Sequence, residues 1–165
     1  MDKRTVFAEK LVMPRAIKVL ADGVLVAENP NLWLMKDTNG DLVADTKELV
    51  TDTYGRGRNV EHDANSLYWA MDNVMYSSEH SADLRWENGK LEVLPALSRG
   101  QWQIAQDDVG RIYRNVNDAP LFVDYTPSRY FLRNPNAPRT RGLYEPLIEQ
   151  IDATVYPVRA TRGRS

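Results

Sequence analysis

The sequence predicts an all-β fold, a partial β-propeller of about three four-stranded blades followed by an Arg-rich tail. Helical periodicity is scarce in the 165 residues, and short β-type segments are bounded by Asp, Asn, Gly and Pro. A unit of strand, Asp/Asn/Gly turn and strand occurs three times, with its turns at Ala21–Gly23, Met71–Asn73 and Asp107–Gly110. The spacing of these units is typical of propeller blades, which recur about every 40–50 residues.

Each predicted blade has two strands around its turn and two further strands outside them. The predicted strands are Ala16–Leu20, Val24–Ala27, Asn31–Lys36 and Lys47–Val50 in the first blade, Ser66–Trp69, Val74–Ser77, Ala82–Trp86 and Lys90–Leu94 in the second, and Trp102–Ala105, Arg111–Arg114, Pro120–Asp124 and Ser128–Leu132 in the third. Tryptophan and tyrosine recur at blade positions, where we expect them in the core. The alternative is an antiparallel sandwich whose turns are similar by coincidence.

The chain divides into a propeller part, residues 1–135, and a tail, residues 136–165, that is rich in Arg and Pro. Leu143, Leu147 and Ile151 recur every four residues, which predicts a short helix near 143–151. Propellers typically have four to eight blades, so about three blades cannot close a ring. We therefore expect further blades in a longer protein, and we expect unpaired strand edges to make the isolated chain associate.

The composition excludes several classes of site and partner. The chain has no cysteine, which excludes disulfides, thiolate metal sites and covalent haem attachment within it. A formal net charge of −2 argues against a nucleic-acid partner, and no apolar run is long enough to span a membrane. The N-terminus lacks the apolar segment of a signal peptide, so the sequence alone leaves the compartment unknown.

One polar segment has the ligand spacing of a calcium-binding loop. Its side chains with oxygen stand at positions 1, 3, 5, 9 and 12 of a twelve-residue loop, and a backbone carbonyl stands at position 7. These predicted metal ligands are Asp37, Asn39, Asp41, Val43, Asp45 and Glu48. Position 6, normally glycine, is Leu42, so we expect binding to be weak. The alternative is a polar hairpin tip that binds no metal.

Several segments together resemble the membrane-bound dehydrogenase family of haem-linked propellers. They are Asp2–Leu11, Met13–Ala16, Asn29–Trp33, Asp37–Asp41, Glu61–Leu67, Arg99–Trp102, Thr140–Glu145 and Tyr156–Arg159. Members of that family are six-bladed propellers similar to soluble quinoprotein glucose and aldose-sugar dehydrogenases, and longer members continue into a c-type haem domain. The resemblance implies oxidation of a sugar or alcohol with a pyrroloquinoline quinone cofactor, electron transfer to a haem domain absent from this chain, and a periplasmic or exported location.

The resemblance gives roles to five residues. A channel histidine acts as general base in quinoprotein sugar dehydrogenases. The chain has two histidines, His62 before the second inner strand and His80 after the following strand, and we expect both to approach one mouth of the propeller channel. The resemblance implies that His62 is the base and that His80 helps to place the substrate or cofactor. Arg15 and Arg99 precede the first and third inner strands, and with Asn65 they would place the quinone or the substrate. For the histidines the alternative is hydrogen bonding within a turn, and for the arginines it is surface charge. The alternative function is a non-catalytic propeller that binds carbohydrate or protein at the channel mouth.

Overall fold

The computed structural model describes residues 4–55, 59–117, 121–134, 136 and 142–147, and in these residues the fold is all-β. The described strands form three four-stranded antiparallel sheets, accompanied by one five-residue helix. The first sheet contains β1 (Ala16–Leu20), β2 (Gly23–Glu28), β3 (Asn31–Lys36) and β4 (Thr46–Thr51), and the second contains β5 (Asn65–Trp69), β6 (Met75–Ser78), β7 (Ala82–Glu87) and β8 (Lys90–Pro95). The third contains β9 (Ile104–Gln106), β10 (Ile112–Arg114), β11 (Phe122–Asp124) and β12 (Glu145–Pro146), and helix α1 is Ser128–Leu132.

The predicted all-β class and the predicted strands of the first two four-stranded units are therefore confirmed. Within each sheet the strands follow chain order, and neighbouring strands are antiparallel. Turns or loops join the strands of the first two sheets, whereas α1 lies between β11 and β12 of the third. The first strands of successive sheets lie next to each other, since β1 contacts β5 and β5 contacts β9. The three sheets are thus arranged in sequence order, with their first strands together.

The main apolar core lies between the first and second sheets. Strand pairing of Leu25 with Leu34 puts both on the face of the first sheet that meets the second, and both are buried. They pack with Leu67, Met75 and Leu84 of the second sheet. Burial of side chains of this size contributes about 1.5–3 kcal/mol each, so this cluster holds the two sheets together.

A smaller apolar cluster and a set of buried charges lie between the second and third sheets. Val74, Tyr76 and Ile112 are buried together there. Beside them Arg114, on β10, is 6% exposed and donates a hydrogen bond from Nη1 to the carbonyl oxygen of Ser77 at 2.9 Å. This junction therefore depends on polar contacts as well as on apolar burial.

Two predictions for the C-terminal part are wrong. The segment expected to be the last strand of the third blade, Ser128–Leu132, is the helix α1, which follows Pro127. Pro127 is the N-cap residue of this helix, where the lack of a backbone N–H removes no hydrogen bond from the helix. The fourth strand is instead β12, which pairs with Phe122 and Val123 of β11. The helix expected near 143–151 is therefore absent from its described part, 143–147, and residues 148–151 lie outside the described residues.

Most of the candidate site residues lie in loops at the two ends of the sheets. We call the end where β5 begins and β6 ends the histidine end, because His62 and His80 lie there. The opposite end of the first sheet holds the loop between β3 and β4, which contains the predicted calcium ligands except Glu48, a residue of β4. The helix in the described residues is too short to cross a membrane.

Candidate functional site

Loops at the histidine end enclose a small polar pocket between the first and second sheets. They follow β4, precede β5, join β6 to β7 and follow β8, so all of them meet at one end of antiparallel strands. The pocket has a volume of about 140 Å³ and is lined by Thr53, Gly55, His62, Asp63, Glu79, His80, Ser81 and Ser98. We call it the histidine pocket.

His80 is the buried base of this pocket. Its side chain is 9% exposed, and its ring lies 4.8 Å from that of Tyr54, which is fully buried. Burial lowers the pKa of His80, and the nearby Asp63 carboxylate opposes that change in part. No hydrogen bond from a described residue reaches the His80 ring. The imidazole is therefore neutral near pH 7 and keeps a nitrogen lone pair for a ligand.

His62 is held at the mouth of the pocket. Its Nδ1 lies 3.3 Å from Oε1 of Glu79, and half of its side chain is exposed. The Asn59 side chain accepts a hydrogen bond from the backbone N–H of His62 at 3.3 Å, which fixes the turn before β5. The two predicted histidines thus line one pocket, as the sequence led us to expect.

The wall of the pocket depends on a close approach at Gly55. This residue has φ +82°, and a Cβ there would lie 2.5 Å from Oδ1 of Asp63 and 2.7 Å from Nδ2 of Asn29. Asn29 Nδ2 donates to the carbonyl oxygen of Ala64 at 2.7 Å, which ties the β2–β3 turn to the loop before β5. Only glycine allows this approach without displacing the neighbouring side chains.

The three residues predicted to hold a quinone all lie at the histidine end, and the side chains of two of them donate hydrogen bonds to loop carbonyl oxygens. Arg15 donates to the carbonyl oxygens of Val60 and Asp63, the second at 3.4 Å. Asn65 donates from Nδ2 to the carbonyl oxygens of Asp63, at 3.1 Å, and Gln101, at 2.7 Å.

The third of these residues, Arg99, lies against an aromatic ring. Its guanidinium is 4.9 Å from the centre of the Tyr144 ring. The histidine pocket, at about 140 Å³, is also smaller than the ~300–1,000 Å³ typical of cofactor and drug-sized ligands. None of these three residues lines that pocket, so quinone binding by Arg15, Asn65 and Arg99 stays a prediction.

The predicted calcium loop forms a compact network of turns. Asp37 accepts hydrogen bonds from the backbone N–H groups of Gly40, at 2.7 Å, and Leu42, at 2.8 Å. Asp45 accepts from the Thr38 N–H at 2.6 Å, and these bonds lower the pKa of both Asp37 and Asp45. In the part of the chain that the structure describes, no group of three or more His, Asp or Glu side chains is placed to hold a metal ion. Calcium binding by this loop stays a prediction.

Sequence reasoning missed the buried charges between the second and third sheets. Arg129 and Asp83 are 8% and 3% exposed, and their Nη1 and Oδ2 atoms lie 3.5 Å apart. Arg114 and Asp124 form a second buried pair with 3.5 Å between Nε and Oδ2. No local spacing in the sequence signals these pairs. Arg129 of α1 meets Asp83 of β7 only because the helix packs on the second sheet, and Arg114 and Asp124 lie on neighbouring strands, β10 and β11, of the third sheet.

Comparison with known proteins places the chain in a family without giving it an activity. The family model described as a domain of unknown function, DUF7133, matches residues 1–165. The chain belongs to the DUF7133 family. No curated protein and no solved structure matches. The function of this DUF7133 chain must therefore be argued from its residues.

Proposed function

We propose that this DUF7133 chain is part of a β-propeller of the sugar or alcohol dehydrogenase type, and that its histidine pocket receives a substrate hydroxyl. The observation that carries the proposal is His80, a buried, neutral imidazole that faces a polar pocket and receives no hydrogen bond from the described residues. The succession of three four-stranded sheets with neighbouring first strands supports the propeller, since blades are arranged in this way around an axis.

The pocket suits a small hydroxylated group. A hydroxyl hydrogen can be donated to the free lone pair of His80, while the side chains of Thr53, Ser81 and Ser98 can hydrogen-bond to the oxygen or its neighbours. Because burial lowers the pKa of His80, its imidazole is neutral near pH 7, and the neutral form is the one that can accept a proton. His62 and Glu79 at the mouth can bind a second hydroxyl of the same molecule.

We assign only the proton transfer to this chain. Oxidation of an alcohol also needs a hydride acceptor, which a bound quinone would supply. The quinone cofactor, the remaining blades, a c-type haem domain as electron acceptor and a periplasmic or exported location are parts of the same proposal. They rest on the resemblance of segments such as Glu61–Leu67 and Arg99–Trp102 to the dehydrogenase family.

A second candidate is binding of a carbohydrate or protein hydroxyl without chemistry. The small volume of the histidine pocket favours it, because a pocket of about 140 Å³ holds a group of roughly benzene size and is smaller than a typical cofactor site. In this case His80 would only accept a hydrogen bond. The two candidates differ in turnover and share the binding residues.

A single set of measurements tests both candidates. The protein is mixed with pyrroloquinoline quinone, calcium, a redox dye and a panel of sugars and alcohols, and NMR follows the imidazole nitrogens of His80 in parallel. Dye reduction supports the dehydrogenase if it is lost in His80→Asn and kept in Lys90→Gln, which changes an exposed residue at the start of β8. Substrate-dependent shifts of His80 without dye reduction support the binding module. If neither signal appears across the panel, the histidine pocket has no such ligand.

A further inference from the structure

A second cleft lies between the first and second sheets at the end opposite the histidine pocket. It is formed by the end of β1 and its turn to β2, the end of β5, and the β7–β8 turn. Its volume is about 450 Å³, within the ~300–1,000 Å³ typical of ligand pockets. The lining residues are Lys18, Val19, Leu20, Ala21, Asp22, Trp69, Trp86, Asn88 and Gly89. We call it the tryptophan cleft.

Two tryptophans give this cleft rigid aromatic walls. Trp69 and Trp86 are half-buried, and both pack against the main apolar core. Trp69 is also fixed at its edge, where Nε1 donates to Oδ1 of Asn73 at 3.3 Å. Because these contacts hold the indole rings in place, a ligand that stacks on them does not have to order them first.

Polar groups stand beside the aromatic walls. Lys18 lies with Nζ 5.5 Å from the centre of the Trp69 ring. Asp22 and Asn88 are exposed residues of the two turns, and within the described residues their side chains make no hydrogen bond. The cleft therefore offers an ammonium donor, a carboxylate acceptor and an amide with both functions, all available to a ligand.

We propose that the tryptophan cleft binds a neutral sugar ring. A pyranose has an apolar C–H face that stacks on the electron-rich face of an indole, and hydroxyls at its edge that need donors and acceptors. Lys18 disfavours a cationic ligand and Asp22 disfavours an anionic one, whereas a neutral polyhydroxylated ring can use both. The cleft does not share any lining residue with the histidine pocket, so this proposal is independent of the proposed function.

NMR of the tryptophan indole N–H groups tests this proposal in the full chain. The chain has four tryptophans, and single Trp→Phe variants assign their signals. Cellobiose should shift the signals of Trp69 and Trp86 and leave those of Trp33 and Trp102 unchanged. Mannitol, which has the hydroxyls but no ring face, should shift none of the four at the same millimolar concentration.

Variants separate the tryptophan cleft from the histidine pocket. Loss of the stacked ring in Trp86→Ala should weaken cellobiose binding about tenfold. Asp22→Ala changes an exposed turn residue that can be removed without loss of the fold, and it should weaken binding as well. His80→Asn should leave binding unchanged. The proposal is overturned if cellobiose shifts neither Trp69 nor Trp86, if Asp22→Ala binds like the wild type, or if His80→Asn abolishes the shifts.

Discussion

Arg129 ties helix α1 to the second sheet through Asp72, with 2.6 Å between Nη2 of the arginine and Oδ2 of the carboxylate. The same guanidinium donates from Nη1 to the hydroxyl of Tyr76 at 2.7 Å. Ser128, the first residue of α1, accepts a hydrogen bond from the Leu97 N–H at 3.1 Å. A helix of five residues is not stable by itself, so α1 is stabilised by contacts with residues that lie far away in the sequence.

The first prediction concerns this attachment of α1. Arg129→Ala leaves Asp72 and the buried Asp83 without their shared cation, and removal of one partner from a buried pair is costly. We expect the free energy of unfolding in urea to fall by about 3 kcal/mol. The matched control is Arg133→Ala, which removes the exposed arginine directly after α1. This variant should change the free energy of unfolding by less than about 0.5 kcal/mol. Equal effects of the two variants would contradict the buried network.

The second prediction concerns the pH dependence that Asp83 produces. Burial raises the pKa of Asp83 to about 6, although Arg114 and Arg129 lower it in part. The folded state therefore takes up a proton at a higher pH than the unfolded state, and the Asp83 contribution to stability increases as the pH falls from 7 to 5. Asp83→Asn should remove this contribution, so the difference between variant and wild type should vary with a midpoint near pH 6. A difference that is constant from pH 5 to pH 7 would exclude this role.

Local patterns predicted the first two sheets because most of their strands have five or six residues, long enough for a local pattern to be visible. In β2 and β3, buried Leu25 and Leu34 face the neighbouring sheet, and the turns between strands carry Asp, Asn and Gly. In the third sheet the strands β9, β10 and β11 have only three residues each, so a local sequence pattern is too short to define where each strand ends. The strand expected at Ser128–Leu132 became a helix because contacts of Arg129 and Ser128 outweigh a weak local preference.

The candidate site was predictable in part for a similar reason. The strand and turn pattern was sufficient to place His62 and His80 at the same end of the second sheet. Burial of His80 against Tyr54 depends on packing between two sheets, which spacing in the sequence does not show. The same holds for Arg15 and Asn65, whose donors bind loop carbonyl oxygens that no motif identifies.

The third prediction concerns the close approach at Gly55. Gly55→Ala places a Cβ within 2.5 Å of Asp63 Oδ1, on a backbone with φ +82°. Gly89→Ala, at φ +72° with no atom within 4 Å of its Cβ, carries the backbone strain without the clash. We expect Gly89→Ala to cost about 1 kcal/mol and Gly55→Ala to cost at least about 1 kcal/mol more, as measured by urea unfolding. Similar losses in the two variants would show that the loops at the histidine end adjust freely.

The fourth prediction concerns the charge state of His80. Because burial lowers its pKa in the folded state, the unfolded state takes up a proton first as the pH falls below about 6.5. The His80 contribution to stability is therefore lost as the pH falls, opposite in sign to that of Asp83. His80→Gln should be more stable relative to wild type at pH 5.5 than at pH 7.5. His62→Gln, at an exposed ring, should show a difference below about 0.5 kcal/mol at both pH values.

The last prediction concerns calcium and the loop between β3 and β4. Leu42, at position 6, has φ +70°, the conformation that glycine usually supplies at this point, and its N–H already donates to Asp37. Four carboxylates (Asp37, Asp41, Asp45 and Glu48) repel one another without a cation, so calcium should favour the folded loop and raise the melting temperature. The strained leucine should keep the affinity weak, on the order of 10⁻⁴–10⁻³ M.

Variants of the loop distinguish calcium binding from a polar turn. Asp41→Ala should abolish the rise in melting temperature caused by millimolar calcium. The variant should leave the fold intact, because Asp41 is exposed and, among the described residues, its carboxylate accepts a hydrogen bond only from the Val43 N–H, at 2.8 Å. Asp52→Ala removes an exposed carboxylate outside the loop and should keep the full calcium effect. Magnesium at the same concentration should stabilise less, because it gives up its water ligands reluctantly and demands octahedral geometry. If the wild type melts at the same temperature in calcium and in chelator, the carboxylates of this loop serve only to hold its turns.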